Sequence, residues 1–210
     1  MKTENSTRSD PPYAVIWLRS LAFWIVFPVT IVFTAVLLLF TFPFSLQLRW
    51  SLLQLWVRFI LWWLAVTCKL THEIQGIENI TGEAAIVFCK HQSTWETIAL
   101  QEIFPLQVWV AKRELMWIPF FGWGLALMKC IAIKRGTGRA AVKQLVTQGK
   151  ARLDEGIWVV IFPEGTRIPA GQKGKYRIGG AALAEYSGYP IVPVAHNAGD
   201  YWPRRSFIKR

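Results

Sequence analysis

A run of 29 residues without a charged side chain, from Ser20 to Leu48, limits what this chain can fold into. A helix needs about 20 predominantly apolar residues to cross a bilayer, so this run is long enough to span one. It is too long for the core of a signal peptide, and no small-residue cleavage site follows it. Pro28 and Pro43 are expected to kink or end the helix. The sequence therefore predicts a membrane-seated helix near its N-terminus.

A second apolar segment, Trp50 to Lys69, has a different character. Ser51, Gln54 and Arg58 are spaced to share one helical face, while aromatic and aliphatic residues occupy the rest. This pattern favours a helix that lies partly in the interface, or returns through one leaflet, over a second full span. We therefore expect residues 1–69 to form a polar tail followed by a membrane-embedded helical hairpin.

The charge balance points to an anionic partner. Lys and Arg number 24 against 13 Asp and Glu, which gives a net charge of +11. Such a balance suits nucleic acid, phospholipid headgroups or an acidic carrier protein. The 12 Trp residues favour a membrane, because indole rings prefer the membrane–water boundary, and no aromatic–basic recognition motif for nucleic acid is present. The scattered Cys68, Cys89 and Cys130 predict neither a disulfide framework nor a metal site.

After Leu70 the pattern changes to short apolar runs that alternate with helical ones, which indicates an α/β domain with a largely parallel sheet flanked by helices, over residues 70–210. The predicted strands are brief, β-branched or aromatic, and bounded by turn residues. They are Ala84–Cys89, Gln107–Ala111, Cys130–Lys134, Ile157–Phe162 and Tyr189–Ala195. The predicted helices between them are Thr94–Ile103, Gly138–Glu155 and Gly180–Tyr186.

Polar segments follow four of these strands, at 90–96, 111–115, 131–136 and 162–167. In open parallel sheets the C-terminal ends of the strands lie along one edge, and ligands bind there. We therefore expect the four segments to converge on a single site.

The same segments resemble the glycerolipid acyltransferases typified by 1-acyl-sn-glycerol-3-phosphate acyltransferase. The His-x4-Asp motif of that family reads His91-x4-Glu96 here, with glutamate in place of the commoner aspartate. The Phe-Pro-Glu-Gly-Thr-Arg run at 162–167 is matched in full, and the stretch ending at Arg135 and the Val-Pro-Val at 192–194 also correspond. The resemblance spans roughly residues 70–195.

The reaction that this resemblance implies is the attack of an alcohol on a thioester carbonyl, and the residues of the motifs suit it. Imidazole is the side chain whose ordinary pKa suits a base near neutral pH, so we assign the catalytic base to His91. A carboxylate on the other ring nitrogen would fix the tautomer, which is the role expected of Glu96. Ser93-x-x-Glu96 before a helix is also a capping box, so Glu96 could instead serve the helix, or fill both roles. No protein nucleophile is required.

The acyl acceptor that the resemblance implies, 1-acyl-sn-glycerol 3-phosphate, carries a phosphate that needs cationic partners. Guanidinium groups bind phosphate oxygens in a bidentate manner. In the family this role belongs to the arginine of the 162–167 run, which is Arg167 here, and Glu164 and Gly165 would shape the glycerol end of the pocket. The resemblance implies a substrate-binding set of Lys112, Arg135, Glu164, Gly165, Thr166 and Arg167. It implies no metal and no cofactor. Lys134 and Arg113 are expected to be solvated charges, and His196 is kept as a minor candidate.

Two further basic groups could meet anionic headgroups or an acidic acyl carrier, although plain solvated surfaces are favoured because such basic stripes are common. They are Lys173, Lys175 and Arg177 in a glycine-rich loop, and Arg139, Lys143 and Lys150 on one helix.

The resemblance implies transfer of an acyl chain from acyl-CoA or acyl carrier protein to the sn-2 hydroxyl of 1-acyl-sn-glycerol 3-phosphate, giving phosphatidic acid for phospholipid synthesis. Acylation of another lyso-lipid, such as a lyso-ornithine lipid, or of glycerol 3-phosphate is an alternative, and a non-enzymatic lipid-binding membrane protein is a more distant one. Membrane phospholipids are the expected surroundings, at the bacterial inner membrane with the catalytic domain on its cytoplasmic side. Family members usually continue past Arg210, so the resemblance leaves open whether this chain is complete.

Overall fold

A computed structural model of the chain describes residues 11–80, 82–134 and 136–210. Five parallel strands form a single sheet in the order β3-β2-β4-β1-β5, and helices flank it, which confirms the predicted α/β architecture. The strands are β1 (Ile86–Cys89), β2 (Gln107–Lys112), β3 (Ile131–Ile133), β4 (Trp158–Ile161) and β5 (Ile191–Val194).

Within the described residues, two long helices precede the sheet and five shorter ones alternate with or follow its strands. They are α1 (Tyr13–Phe40), α2 (Leu46–Cys68), α3 (Trp95–Ile103), α4 (Phe121–Leu127), α5 (Arg139–Asp154), α6 (Gly179–Ser187) and α7 (Ala198–Tyr201). Short 3₁₀ turns cover Ile77–Asn79 and Arg113–Trp117. The sequence patterns did not predict α4, because its single helical stretch of Phe, Gly, Trp, Leu and Ala is too short to establish a period.

The prediction was that Pro28 and Pro43 would kink or end the first helix; the helix does not end at Pro28, but it does end just before Pro43. Helix α1 continues past Pro28 to Phe40, and Pro43 lies in the turn that leads to α2. This turn is held by Arg49, whose guanidinium donates to the carbonyl oxygens of residues 41, 42, 44 and 127. One charged side chain thereby joins the end of α1 to the end of α4.

Helices α1 and α2 pack against each other as a hairpin, and both are long and apolar enough to cross a membrane. Large apolar side chains on α1 face outwards, with 61% of Ile25, 65% of Val29 and 62% of Phe33 exposed. Unpartnered apolar surface of this extent is typical of a face that meets lipid. The hairpin supports membrane association of the chain.

The part of the chain that the structure describes has two apolar cores. One lies in and around the sheet, where Ile86, Val87, Val159 and Val160 are fully buried. The other lies between α1, α2 and α3, and it includes Trp202 from the segment after α7. Because the second core joins the hairpin to α3, it fixes the hairpin beside the C-terminal edge of the sheet.

Candidate active site

The strand order brings three polar segments together. Strand β4 lies between β2 and β1, so the 162–167 run emerges between His91, which follows β1, and Lys112, which ends β2. All three strands are parallel, so these segments occupy the same edge of the sheet.

His91 and Glu96 form a close pair at this edge. Nδ1 of His91 lies 2.8 Å from Oε1 of Glu96, whose side chain is fully buried. The same oxygen accepts the backbone N–H groups of Gln92 and Ser93, each at 2.9 Å. Because the Glu96 carboxylate accepts all of these hydrogen bonds and donates none, Nδ1 of His91 carries the ring proton. The lone pair on Nε2 is therefore free to take a proton.

The expected capping box at Ser93 is formed only in part. Helix α3 begins at Trp95 with Thr94 as its N-cap, and the hydroxyl of Ser93 accepts from the backbone of Trp95 rather than from Glu96. The carboxylate does reach back to the N–H of Ser93, as such a box requires. Glu96 therefore holds the turn before α3 and the imidazole at once.

The remaining contacts of His91 fix its ring and its backbone. The ring stacks on Phe162, with 4.0 Å between the ring centroids and an interplanar angle of 16°. Its backbone N–H donates to Oε2 of Glu164 at 3.3 Å, and its carbonyl accepts from the N–H of Ile168 at 2.7 Å. The 162–168 segment thus positions the histidine through three separate contacts.

A cavity of about 420 Å³ opens beside this histidine and runs between the sheet and the N-terminal helices. His91, Lys112 and Arg167 line it together. Apolar side chains form most of its wall, including Phe27, Ile31, Ala35, Leu38, Leu53, Trp56, Trp109, Phe121, Leu125 and Met128. A largely apolar cavity with a few convergent polar groups is the usual form of a small-molecule site, and here it suits an acyl chain.

Arg167 is more enclosed by the protein than Lys112, the other described cation that lines the cavity. Its Nε is buried and has no hydrogen-bond partner among the described residues. Burial lowers the pKa of the Arg167 guanidinium; the nearby Glu96 carboxylate opposes this shift and the smaller effect of Arg204 adds to it, and an arginine retains its charge in proteins. Arg204 also donates to the backbone carbonyl of Arg167 at 2.9 Å. A half-buried guanidinium whose buried Nε–H donor is unused is suited to receive an anion.

The other expected substrate-binding residues have different positions. Lys112 is half-exposed and lies 3.3 Å from Glu114. Glu164, Gly165 and Thr166 line a separate groove on the α5 and α6 side of the sheet. Arg135 lies outside the described residues, so its predicted role stays a prediction. Glu164 also has a task that the sequence did not indicate, since it holds the backbone of His91.

The cysteine and histidine side chains outside the pair fit structural roles. Cys130 lines the cavity, but burial raises the pKa of its thiol to about 11, so the thiolate nucleophile is scarce at neutral pH. Burial also raises the pKa of the Cys89 thiol. Nε2 of His196 lies 2.7 Å from the carbonyl oxygen of Lys90, which places this ring behind the loop that carries His91.

Sequence reasoning did not assign a role to Phe162. Its aromatic ring lines both the cavity and the groove and covers one face of the imidazole. The available signal was its position as the first residue after β4, within the 162–167 run. Nothing local to the sequence indicated that β4 would lie next to β1.

The fold is similar to that of a solved structure, the 1-acyl-sn-glycerophosphate (LPA) acyltransferase PlsC from Thermotoga maritima. The TM-score is 0.74 at 22% sequence identity, over 91% of this chain and 78% of that one. At this identity the likeness establishes the shared fold.

Relatives in sequence are named 1-acyl-sn-glycerol-3-phosphate acyltransferase. The one from Pseudomonas aeruginosa is 49% identical over 167 residues, which covers 80% of this chain and 65% of the relative. The one from Helicobacter pylori is 35% identical over 123 residues, covering 58% of this chain and 52% of the relative. The chain thus spans about half to two thirds of the length of these relatives.

A family model described as Acyltransferase matches residues 71–197, which include every strand of the sheet and the His91–Glu96 pair. The match confirms the resemblance seen in the motifs. The chain belongs to the Acyltransferase family.

Proposed function

We propose that the chain transfers an acyl group from a thioester donor to the sn-2 hydroxyl of 1-acyl-sn-glycerol 3-phosphate, giving phosphatidic acid for phospholipid synthesis. The observation that carries the proposal is that a carboxylate-oriented imidazole and a half-buried guanidinium, whose Nε has no partner among the described residues, line one apolar cavity. The names of the relatives from Pseudomonas aeruginosa and Helicobacter pylori support the same acceptor.

In the proposed reaction, Nε2 of His91 takes the proton of the acceptor's hydroxyl as the oxygen attacks the thioester carbonyl. A C–O bond forms, the C–S bond breaks, and the imidazolium returns its proton to the leaving thiolate. Glu96 stabilises the imidazolium while it is charged. The hydroxyl attacks directly, so no acyl-enzyme is formed and no side chain has to act as nucleophile.

We propose that the acceptor's phosphate binds Arg167, with Lys112 and Arg135 as further cations. The reacting centre would be bordered on the groove side by Glu164, Gly165 and Thr166. The unused buried donor of Arg167 supports its part in this assignment. The acyl chain of the donor would occupy the apolar cavity beside α1, α2 and α4.

We further propose that residues 1–69 seat the protein in the bacterial inner membrane, with the 70–210 domain on the cytoplasmic side. The two apolar helices and a bacterial relative support this location. A single cysteine introduced at the exposed Lys173, in a variant with Cys68, Cys89 and Cys130 replaced by alanine, would test the sidedness. Labelling by a membrane-impermeant maleimide should require permeabilised cells; labelling of intact spheroplasts would contradict the proposed orientation.

The direct test of the reaction is an acyl-transfer assay on the purified full chain in lipid nanodiscs, with lysophosphatidic acid and either acyl-CoA or acyl carrier protein as donor. His91→Ala should reduce kcat by at least about 10²-fold, the lower range for loss of a general base. The matched control is His72→Ala, because His72 lies away from the cavity and contacts Glu102 at 3.8 Å. Equal activity of the two folded variants would rule out His91 as the base.

A second assay tests the acceptor. Arg167→Ala should raise the KM for lysophosphatidic acid by about 10- to 100-fold, the range for a lost charge-assisted hydrogen bond. The KM for a monoacylglycerol, which has no phosphate, should stay unchanged. The exposed Arg113, changed to Ala, is the control for loss of one positive charge. An equal loss with both acceptors would argue against phosphate recognition by Arg167 and would favour another lyso-lipid.

A further inference from the structure

The loop between β1 and α3, which carries His91, is contacted by His196 from the segment that follows β5. Nε2 of His196 lies 2.7 Å from the carbonyl oxygen of Lys90, and its Nδ1 lies 3.2 Å from the backbone nitrogen of Ala198. A carbonyl oxygen can only accept a hydrogen bond and a backbone N–H can only donate one. The ring of His196 is therefore neutral, with its proton on Nε2, and both of its nitrogens are engaged.

The carbonyl of Lys90 belongs to the same peptide unit as the N–H of His91. A peptide unit is planar and rigid, so a contact at either end sets the orientation of the whole unit. His196 holds the carbonyl end, and Oε2 of Glu164 accepts from the N–H end at 3.3 Å. The thiol of Cys89 also lies 3.4 Å from this carbonyl, but a thiol is a weak donor. His196 thus provides the stronger contact at the carbonyl end, and it helps to fix the backbone from which the imidazole of His91 projects.

The segment that contains His196 is itself packed in place behind this loop. Gly199 in α7 approaches Gln92 so closely that an added Cβ would lie 2.9 Å from the Cβ of Gln92. Trp202 is buried in the core between α1, α2 and α3, and its ring meets that of Phe23 edge-on, with 5.2 Å between the centroids. A side chain whose surroundings are held in this way can present its donor at one fixed position. The packing therefore makes His196 a firm anchor for the loop.

We propose that His196 is a positioning residue for acyl transfer, and that it acts through the Lys90 carbonyl by orienting the peptide unit that precedes the proposed base. The inference rests on the proposed acyl-transfer function and adds to it a residue outside the apolar cavity. His196 lines instead a smaller cavity of about 180 Å³ beside β5. Its second contact, with Ala198, defines the competing role, which is to hold the start of α7 without any effect on His91.

Two amide substitutions separate these roles, because they place their polar atoms at different distances from the backbone. A glutamine reaches about as far as Nε2 and can donate to the Lys90 carbonyl, whereas an asparagine reaches only as far as Nδ1 and can accept from Ala198. A role confined to α7 therefore predicts that His196→Asn is active and His196→Gln is impaired. The positioning role predicts the reverse order.

The measurement is steady-state acyl transfer by the purified full chain in nanodiscs, with lysophosphatidic acid and a thioester donor. We expect His196→Asn to lower kcat by about 10- to 100-fold with little change in either KM, because a small misplacement of a catalytic group slows the reaction step. His196→Gln should retain most of kcat. The matched control is His72→Asn, because His72 and His196 both contact the ring of Trp95, with 5.3 and 6.2 Å between the centroids.

A second variant reaches the same loop without changing His196. Gly199→Ala would press on Gln92 and should also lower kcat with little change in KM. Gly82→Ala, where an added Cβ meets nothing within 4 Å, is its control. Melting temperatures show which variants are folded, and if His196→Asn is not, Gly199→Ala decides the outcome.

Three results would each overturn the positioning role. They are wild-type kcat in folded His196→Asn or Gly199→Ala, a His196→Gln protein as impaired as His196→Asn, and a loss that appears in KM alone. Failure of the acyl-transfer proposal would appear differently, as full activity of His91→Ala.

Discussion

Phe162 stacks on His91 with 4.0 Å between the ring centroids. The two residues follow β4 and β1, which are adjacent parallel strands, so their side chains meet at the edge of the sheet. The stack covers one face of the imidazole while the Nδ1 edge is held by Glu96. The ring of the proposed base is therefore fixed in two directions, one apolar and one polar.

Loss of the stack between Phe162 and His91 should lower kcat strongly while changing substrate binding little. We expect Phe162→Leu to reduce kcat by about 10- to 100-fold, because small misplacement of a catalytic group is costly, with little change in the KM for lysophosphatidic acid. Phe162→Tyr keeps the ring and should retain most activity. Steady-state kinetics on both variants checks this positioning role; a Tyr variant as impaired as the Leu variant would count against it.

The Glu96 carboxylate should be required for both turnover and stability. Glu96→Gln replaces one acceptor oxygen by a donor, which disturbs the N–H groups of Gln92 and Ser93 and the tautomer of His91. We expect kcat to fall by about 10²- to 10⁴-fold and the melting temperature to drop. Glu102→Gln, on the same helix, is the control, and activity near wild type in a folded Glu96→Gln protein would leave Glu96 with a capping role alone.

The part of the cavity between α1 and α4 should limit the length of the acyl chain. Ala35 and Gly124 both line it, and a Cβ added at Gly124 would lie 3.8 Å from that of Ala35. Ala35→Leu should therefore exclude several methylenes and lower kcat/KM for a long-chain donor by at least about tenfold relative to one four carbons shorter. Val32→Leu, on the exposed face of α1, should leave the profile unchanged. A shift of equal size in both variants would argue against an acyl chain at Ala35.

Lys209 should make stability depend on pH in the alkaline range. Its ammonium lies 4.1 Å from the ring of Trp24 and 4.8 Å from that of Trp202, and only 1% of the residue is exposed. Burial lowers the pKa of Lys209 from 10.5 to about 8. Between these values the unfolded chain binds more protons than the folded one, so the free energy of unfolding should rise with pH, by about 3 kcal/mol in total.

Thermal melting in detergent between pH 7.5 and 10 measures this effect. The difference in melting temperature between the wild type and Lys209→Met should shift in favour of the wild type as pH rises through this range. Tyrosine, cysteine and the other lysines titrate in both proteins, so the comparison isolates Lys209. A difference that stays constant with pH would show that the ammonium is not desolvated in the folded protein.

Sequence alone determined the features that depend on local patterns. Apolar length predicted the two long N-terminal helices, and short β-branched runs between helical ones predicted five strands in a largely parallel sheet. The His91–Glu96 contact was also accessible, because the two residues are five positions apart and joined by a single turn before α3. The ends of the five strands and of α3, α5 and α6 lie within two residues of the predicted ones, where capping geometry rather than pattern decides, whereas α1 and α2 begin seven and four residues before the predicted apolar segments.

Only the tertiary structure decided which of these segments became neighbours. The order β3-β2-β4-β1-β5 is not the order of the chain, and it is this order that sets Phe162 on His91. It also divides the 162–167 run, so that Arg167 lines the apolar cavity while Thr166 lines the groove on the α5 and α6 side. Strand order depends on which apolar faces bury one another across the whole domain, and residue spacing along the chain carries no direct record of that choice.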